Sequence, residues 1–439
     1  MLAEKTIQRK YVKLFMTTAW ITLIVFIVCY VMFVVFPTKR SWSSGIGAIL
    51  VILAGGTGLK EAFLHHINWN VMGLFVGTLV LAEFFMMSRL PAVMAEWLVD
   101  RTGTVRGAMI AVCGLSGFLS MFVENVAVVL LVAPVAISLA EKFNLSPVRL
   151  LLFVAMSSNI QGTATMIGDP PSMILAGYMK MGFNDFFIYQ GRLSIFFAVE
   201  LGAVMALLIM LFFLRRHRHR IELLPVEKVR SWMPFVLLSI FVAGLSLSSF
   251  FDPGFRWFAG SFTIFMAIAG ILWFRLAARW GSTRQLLKTL DWDTTFFLMG
   301  IFVVVGALSN SGWLDRMADG VIRMTGVNVP AAFIFFTVIA MLVSGFVDNV
   351  PFLLVMLPVV EKVAGSMGVP VPLFLFGLLA GTCMGGNLTP VGASANVVTL
   401  GILRKRGHIV SFREYLAVGI PVTLVTTFCS ALFIWFVWR

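Results

Sequence analysis

The run at 122–135, F-V-E-N-V-A-V-V-L-L-V-A-P-V, returns 224 residues further on at 346–359 as F-V-D-N-V-P-F-L-L-V-M-L-P-V. Each copy places an acid and an amide, Glu124 with Asn125 and Asp348 with Asn349, inside a long apolar stretch. A charge at lipid depth costs about 2.5 to 3.5 kcal/mol even on the lenient insertion scale. Two such charges at matching positions constrain the chain more than any other feature. They mark either two ends where apolar helices meet water, or two hairpin tips that meet at an ion site. The surrounding pattern favours the second.

The 439 residues are 60% hydrophobic and 12% charged, against about 45–50% and about 25% in ordinary globular domains. Apolar runs of membrane-crossing length recur throughout, which defines an all-α polytopic membrane protein and leaves no room for a soluble domain. The first run, near 14–36, lacks a small-residue cleavage site and reads as a retained span. Further spans are predicted near 45–63, 69–88, 148–179, 192–214, 232–251, 257–277, 293–310, 372–402 and 415–437, about ten in all. The stretches 107–139 and 331–363 are too long for one span and too short for two. Each carries its polar pair near the middle, so each is predicted to be a re-entrant hairpin whose tip is buried in protein or lines a cavity. Segments 90–104 and 312–327, just before each hairpin, read as interfacial helices.

The chain divides into 1–220 and 231–439, joined by a basic linker over 221–230. Each half is predicted to hold three spans, a hairpin, a broken helix and a final span. Five crossings per half turn the second copy over, which makes an inverted repeat. Trp69 aligns with Trp292 across the halves. Lys and Arg concentrate in alternate loops, most densely at 215–220, which places both termini on the non-cytoplasmic side of an inner, plasma membrane. The net charge of +13 follows from these loops and implies no nucleic acid. The four cysteines stand singly, as packing residues.

The second repeated element lies in the broken helices. Residues 161–172 read Q-G-T-A-T-M-I-G-D-P-P-S and residues 385–396 read G-G-N-L-T-P-V-G-A-S-A-N, again offset by 224. Glycine and proline at this density end a helix, so the chain unwinds in mid-membrane and frees carbonyls and amides for ions. Two half-sites follow. The first has Ser120, Glu124 and Asn125 on its tip and Asn159, Thr163, Thr165 and Asp169 on its broken helix. The second has Ser344, Asp348 and Asn349 on its tip and Asn387, Thr389, Ser394 and Asn396 on its broken helix. No Lys, Arg or His is predicted at this depth. Three unpartnered acids in a low-dielectric pocket must be protonated or hold a cation, so they are expected to carry the coupling H+ or Na+, with Na+ near Glu124, Asp169 and Asp348. Asp169 faces Ala393 in the repeat, which assigns coupling to the first half-site. Glu83 and Glu200 read as structural acids bonded between helices, and His65 and His66 as interfacial. A surplus acid argues against an aspartyl protease built on Asp169 and Asp348. No nucleotide-binding loop is present; an ATPase on a separate subunit stays open. No cofactor is expected.

F-V-E-N-V, F-V-D-N-V, G-T-A-T-M-I-G-D-P-P-S and G-G-N-L-T-P-V-G-A-S-A-N-V-V resemble the hairpin tips and unwound helices of the ion transporter superfamily that includes arsenite permeases, NhaD-type sodium/proton antiporters, P-protein-like permeases and citrate-transporter-like proteins. The resemblance implies a secondary transporter rather than an enzyme, with scaffold and elevator-type transport domains and often a homodimer. It implies that Glu124, Asn125, Asp169, Asp348, Asn349, Thr389 and Asn396 line the site. The acidic tips differ from the Ser-Asn-Thr tips of carboxylate symporters in that group. Efflux of an arsenite- or antimonite-type species therefore leads as the expected function, ahead of sodium/proton antiport and of citrate-like di- or tricarboxylate symport.

Overall fold

A computed structural model describes residues 2–213, 228–278 and 280–439, with residues 2–15 described by their backbone. The basic cluster at 215–220 lies outside the described residues. Among the described residues nine helices are long and apolar enough to cross a membrane. Two of them, Asn125–Lys142 and Asn349–Met367, are the second arms of the two hairpins. The first arms are Val105–Ser120 and Val329–Ser344. Each hairpin breaks at its acid, because Glu124 and Asp348 leave helical geometry (ψ 137° and 134°) and cap the second arm. Pro134 and Pro358 sit inside the second arms at the same offset, where each removes a backbone hydrogen bond and bends the helix.

The broken helices form as Val148–Gly162 with Pro170–Met179, and as Val371–Gly385 with Ser394–Lys405. At about 1.5 Å per residue no half spans a bilayer core of about 30 Å. Two helices precede the hairpins, Leu90–Arg101 and Trp313–Thr325.

The second predicted span, 45–63, does not form as one helix. A helix of 14 residues, Arg40–Leu53, ends before Gly55, which adopts φ +77°. Three of the five residues in the run Ala54-Gly55-Gly56-Thr57-Gly58 are glycines, which disfavour a further turn, and glycine takes the left-handed stop without strain. The chain resumes as Leu59–Glu61 and a wide turn, Ala62–His66. Here Thr57 bonds His66 Nε2 at 2.9 Å.

The helices sort into two layers. In one, Arg40–Leu53 packs on Trp292–Asn310, and Trp69–Met87 packs on Phe258–Trp273. Glycine sets both approaches: a Cβ on Gly73 would lie 3.0 Å from the Gly260 backbone, and one on Gly300 would lie 2.6 Å from Ser44. The side chain of Asn70 reinforces the second pair, accepting from Gly260 N at 2.6 Å and donating to Phe255 O at 2.9 Å. In the other layer each first hairpin arm packs along a broken helix, and the final helices Ile195–Phe213 and Phe412–Trp438 close on each other, with Ser430 donating to Ala198 O at 2.7 Å. The internal repeat shows in the bonds themselves: Trp69 Nε1 donates to Phe63 O and Trp292 Nε1 to Leu287 O, both at 2.6 Å. Val148–Gly162 and Val371–Gly385, the first halves of the broken helices, are almost wholly buried, against about a fifth of Met16–Val35, so the core runs along the broken helices and the amino-terminal helix forms the rim.

Candidate functional site

The two tips are fastened by the same bonds. At the first, Ser120 donates to Asn125 Oδ1 and shares a 2.8 Å hydrogen bond with Ser158 Oγ. Thr165 donates to Met121 O. At the second, the Ser344 hydroxyl sits within hydrogen-bonding distance of both Asn349 Oδ1 and Thr382 O, with one proton to share between them, and Thr389 donates to Gly345 O. Each unwound segment is therefore stitched to the tip of its own hairpin. Glycine permits this: a Cβ on Gly392 would lie 2.7 Å from Gly386 O and 2.9 Å from Ser344 O, and one on Gly168 would collide with Gly162 O and Ser120 O.

The halves then meet. Asn159 Nδ2 donates to Asn387 Oδ1 at 2.8 Å and to Asn396 Oδ1 at 3.2 Å. Asn396 Nδ2 in turn donates to Gly386 O at 2.9 Å, and Tyr415 donates to Asn387 O at 3.2 Å. All three amides are buried, so their bonds to one another and to the backbone satisfy groups that would be costly to leave open.

The acids occupy unlike surroundings. Glu124 caps the second arm of its hairpin by accepting from Ala127 N at 3.1 Å. Asp169 caps Pro170–Met179, accepting from Ser172 N at 3.0 Å and from Thr163 at 3.4 Å. In the second half Ala393 takes the capping position and makes no side-chain capping bond. Glu124 and Asp169 line one cavity of about 10 Å³, together with Gly168, Met173, Phe75 and Thr78. That is room for about one water molecule, walled by the first layer on one side and by hairpin and broken helix on the other.

Asp348 is different, and here the structure corrects an expectation. It is not without a basic partner: Arg40 Nη1 donates to its carboxylate at 2.6 Å. The same guanidinium donates through Nε to Asp293 at 3.0 Å and through Nη2 to Thr294, and its Nη2 lies 3.9 Å from Asp291. The predicted spans 14–36 and 45–63 leave Arg40 in the loop between them. Folding makes it the first residue of Arg40–Leu53, and the close packing of that helix on Trp292–Asn310 carries it to the tip. A signal was present in Asp291 and Asp293, two acids opening an apolar run where the first half has Asn68 and Asn70. Ser158 and Thr382, 224 residues apart, were also missed; neither carries charge or breaks a helix.

Of the remaining predicted residues, Ser394 is exposed on the first turn of its helix and outside the network. Asp169 and Asp348 bond to separate partners, which gives no carboxylate dyad. Glu200 accepts from Gln161 at 3.2 Å, as an acid bonded between helices does.

Two polar hairpin tips, two unwound helices stitched to them, and a cavity holding two carboxylates between layers of membrane-length helices define a multi-pass secondary transporter. The chain belongs to the CitMHS family, described as citrate transporter, whose sequence profile matches residues 21–381 and 281–439. It is 29% identical over 427 residues to an uncharacterised transporter of Mycobacterium tuberculosis, covering 94% of this chain and 96% of that one. It is 25% identical to the human P protein over 88% of this chain and 56% of the relative. Among solved structures, the fold resembles the YdaH transporter of Alcanivorax borkumensis, with a TM-score of 0.61, 12% identity and coverage of 96% and 97%. It also resembles Neisseria gonorrhoeae MtrF, with a TM-score of 0.58, 13% identity and the same coverage.

Proposed function

We propose that the chain is driven by H+ or Na+ and works by elevator-like alternating access, with Glu124 and Asp169 as the carriers of the coupling ion. The observation that carries this reading is the shared cavity: two carboxylates line it, each with only hydrogen-bond partners, while the third acid is already matched to Arg40. Carboxylates so placed favour a proton or a metal cation over remaining charged alone. The cargo is a small inorganic ion or neutral oxyacid of the arsenite or antimonite type, exported across the plasma membrane. The small cavity supports a compact cargo, and Arg40, engaged by three acids, is poorly placed to receive a multivalent anion. Sodium/proton antiport uses the same two carboxylates without a separate cargo. Carboxylate symport is a further reading, favoured by the description of the family as citrate transporter; it requires the anion to arrive with cations. Purified protein in liposomes, offered arsenite, Na+ and citrate in turn under imposed pH and Na+ gradients, separates the three. Gradient-driven arsenite movement supports the first, and movement of Na+ against H+ with neither cargo replaces it with the second. Citrate uptake selects the third, and no gradient-driven flux of any of them overturns the reading.

A further inference from the structure

The guanidinium of Arg40 divides its donors between two bodies. Nε and Nη2 face Asp293, Asp291 and Thr294 at the start of Trp292–Asn310. Ser41, next along the chain, also donates to Asp293. Nη1 alone reaches across to Asp348 on the second hairpin tip, at 2.6 Å. The guanidinium lies 5.2 Å from the Phe297 ring centre, and its side chain is 17% exposed. Withdrawing the tip would therefore cost one charge-assisted bond and leave Arg40 held in place by its other partners. A fork of donors fixed on one side makes a reversible catch on the other, which a flexible lysine would not provide. Among the described residues the first tip has no such catch, because there Glu124 bonds the backbone of its own helix and faces the cavity.

We propose that Arg40 is a positioning residue that latches the second hairpin tip, through Asp348, onto the helix pair Arg40–Leu53 and Trp292–Asn310, and so biases the transporter toward the state described here. The latch rests on the alternating-access reading, since it matters only if the hairpin layer moves against the first layer. One hydrogen bond between charged groups is worth about 10- to 100-fold in such an equilibrium.

The test is thiol labelling of Val347→Cys, beside Asp348 on the tip, in the full chain in detergent with a small water-soluble maleimide. The native thiols are buried at Cys29, Cys113 and Cys383 and half-buried at Cys429, and the unsubstituted chain gives the background. Arg40→Gln is expected to raise the labelling rate at least about tenfold, Asp348→Asn to raise it equally, and the two together to raise it no further. Asp348→Asn keeps a good capping side chain, so it carries the test if Arg40→Gln fails to fold. An unchanged rate in either folded variant, or effects that multiply in the double variant, overturns the latch. Labelling reads tip docking without transport, so this result and that of the liposome fluxes can fail separately.

Discussion

Asn159 and Asn387, 228 residues apart, are joined side chain to side chain at 2.8 Å where the two unwound helices cross. Asn159 spends both amide protons on the second half, one on Asn387 and one on Asn396. Asn159→Ala leaves two buried carbonyl oxygens without their donor, at about 1–3 kcal/mol each. A lowered melting temperature in detergent is the expected result, with both halves loosened together. Limited proteolysis that cuts only one half would contradict the crossing described here.

Asp169 caps a helix and faces the cavity, and one substitution separates the two roles. Asn caps nearly as well as Asp, whereas Ala loses about 1 kcal/mol. Asp169→Asn is therefore expected to keep native stability and to lose at least about tenfold of gradient-driven transport. Asp169→Ala is expected to lose both. Transport by the Asn variant that stays coupled to pH or Na+ at the native rate removes Asp169 from the coupling step.

Gly168 and Gly392 have no space for a methyl group, and what they would strike is backbone. Gly168→Ala and Gly392→Ala are expected to push the unwound segments off their hairpin tips, at a cost of about 1–3 kcal/mol or more. Gly401, on Ser394–Lys405, meets nothing within 4 Å, so Gly401→Ala is expected to be neutral or stabilising by up to about 1 kcal/mol. Melting curves of the three variants check the contrast.

Outside the spans, the loop after Met233–Phe251 is organised by Asp252, whose carboxylate accepts from Arg256 N, Trp257 N and Phe258 N at 2.9 to 3.2 Å. Burial alone would raise its pKa, but those bonds outweigh burial and hold it below the usual aspartate value. A depressed folded pKa contributes stability that is present above the unfolded value, near 3.9, and lost as pH falls through the folded one. The melting temperature of the native chain should therefore fall more steeply below about pH 4 than that of Asp252→Asn. Parallel curves would mean that the loop does not depend on the charge.

The hairpins, their breaks and the unwound helices were legible in the residues because each depends on local chemistry. An acid in an apolar run, a Pro-Pro after an aspartate, and glycines that no helix tolerates announce themselves within a dozen positions. The matching offset of 224 then paired them without any knowledge of contacts. The stop after Leu53 was equally local, in the glycines at 55, 56 and 58, yet the apolar residues beyond them disguised it as a longer span.

What the chain by itself determined is the set of elements and the two polar half-sites, since periodicity, helix breaking and desolvation act over short stretches. Only the tertiary structure decided how those half-sites differ. Whether a carboxylate meets a cation or lines a cavity depends on which distant helix packs against it. Nothing near Asp348 in sequence could say that Arg40, 308 residues away, would be delivered to it by the packing of Arg40–Leu53 on Trp292–Asn310.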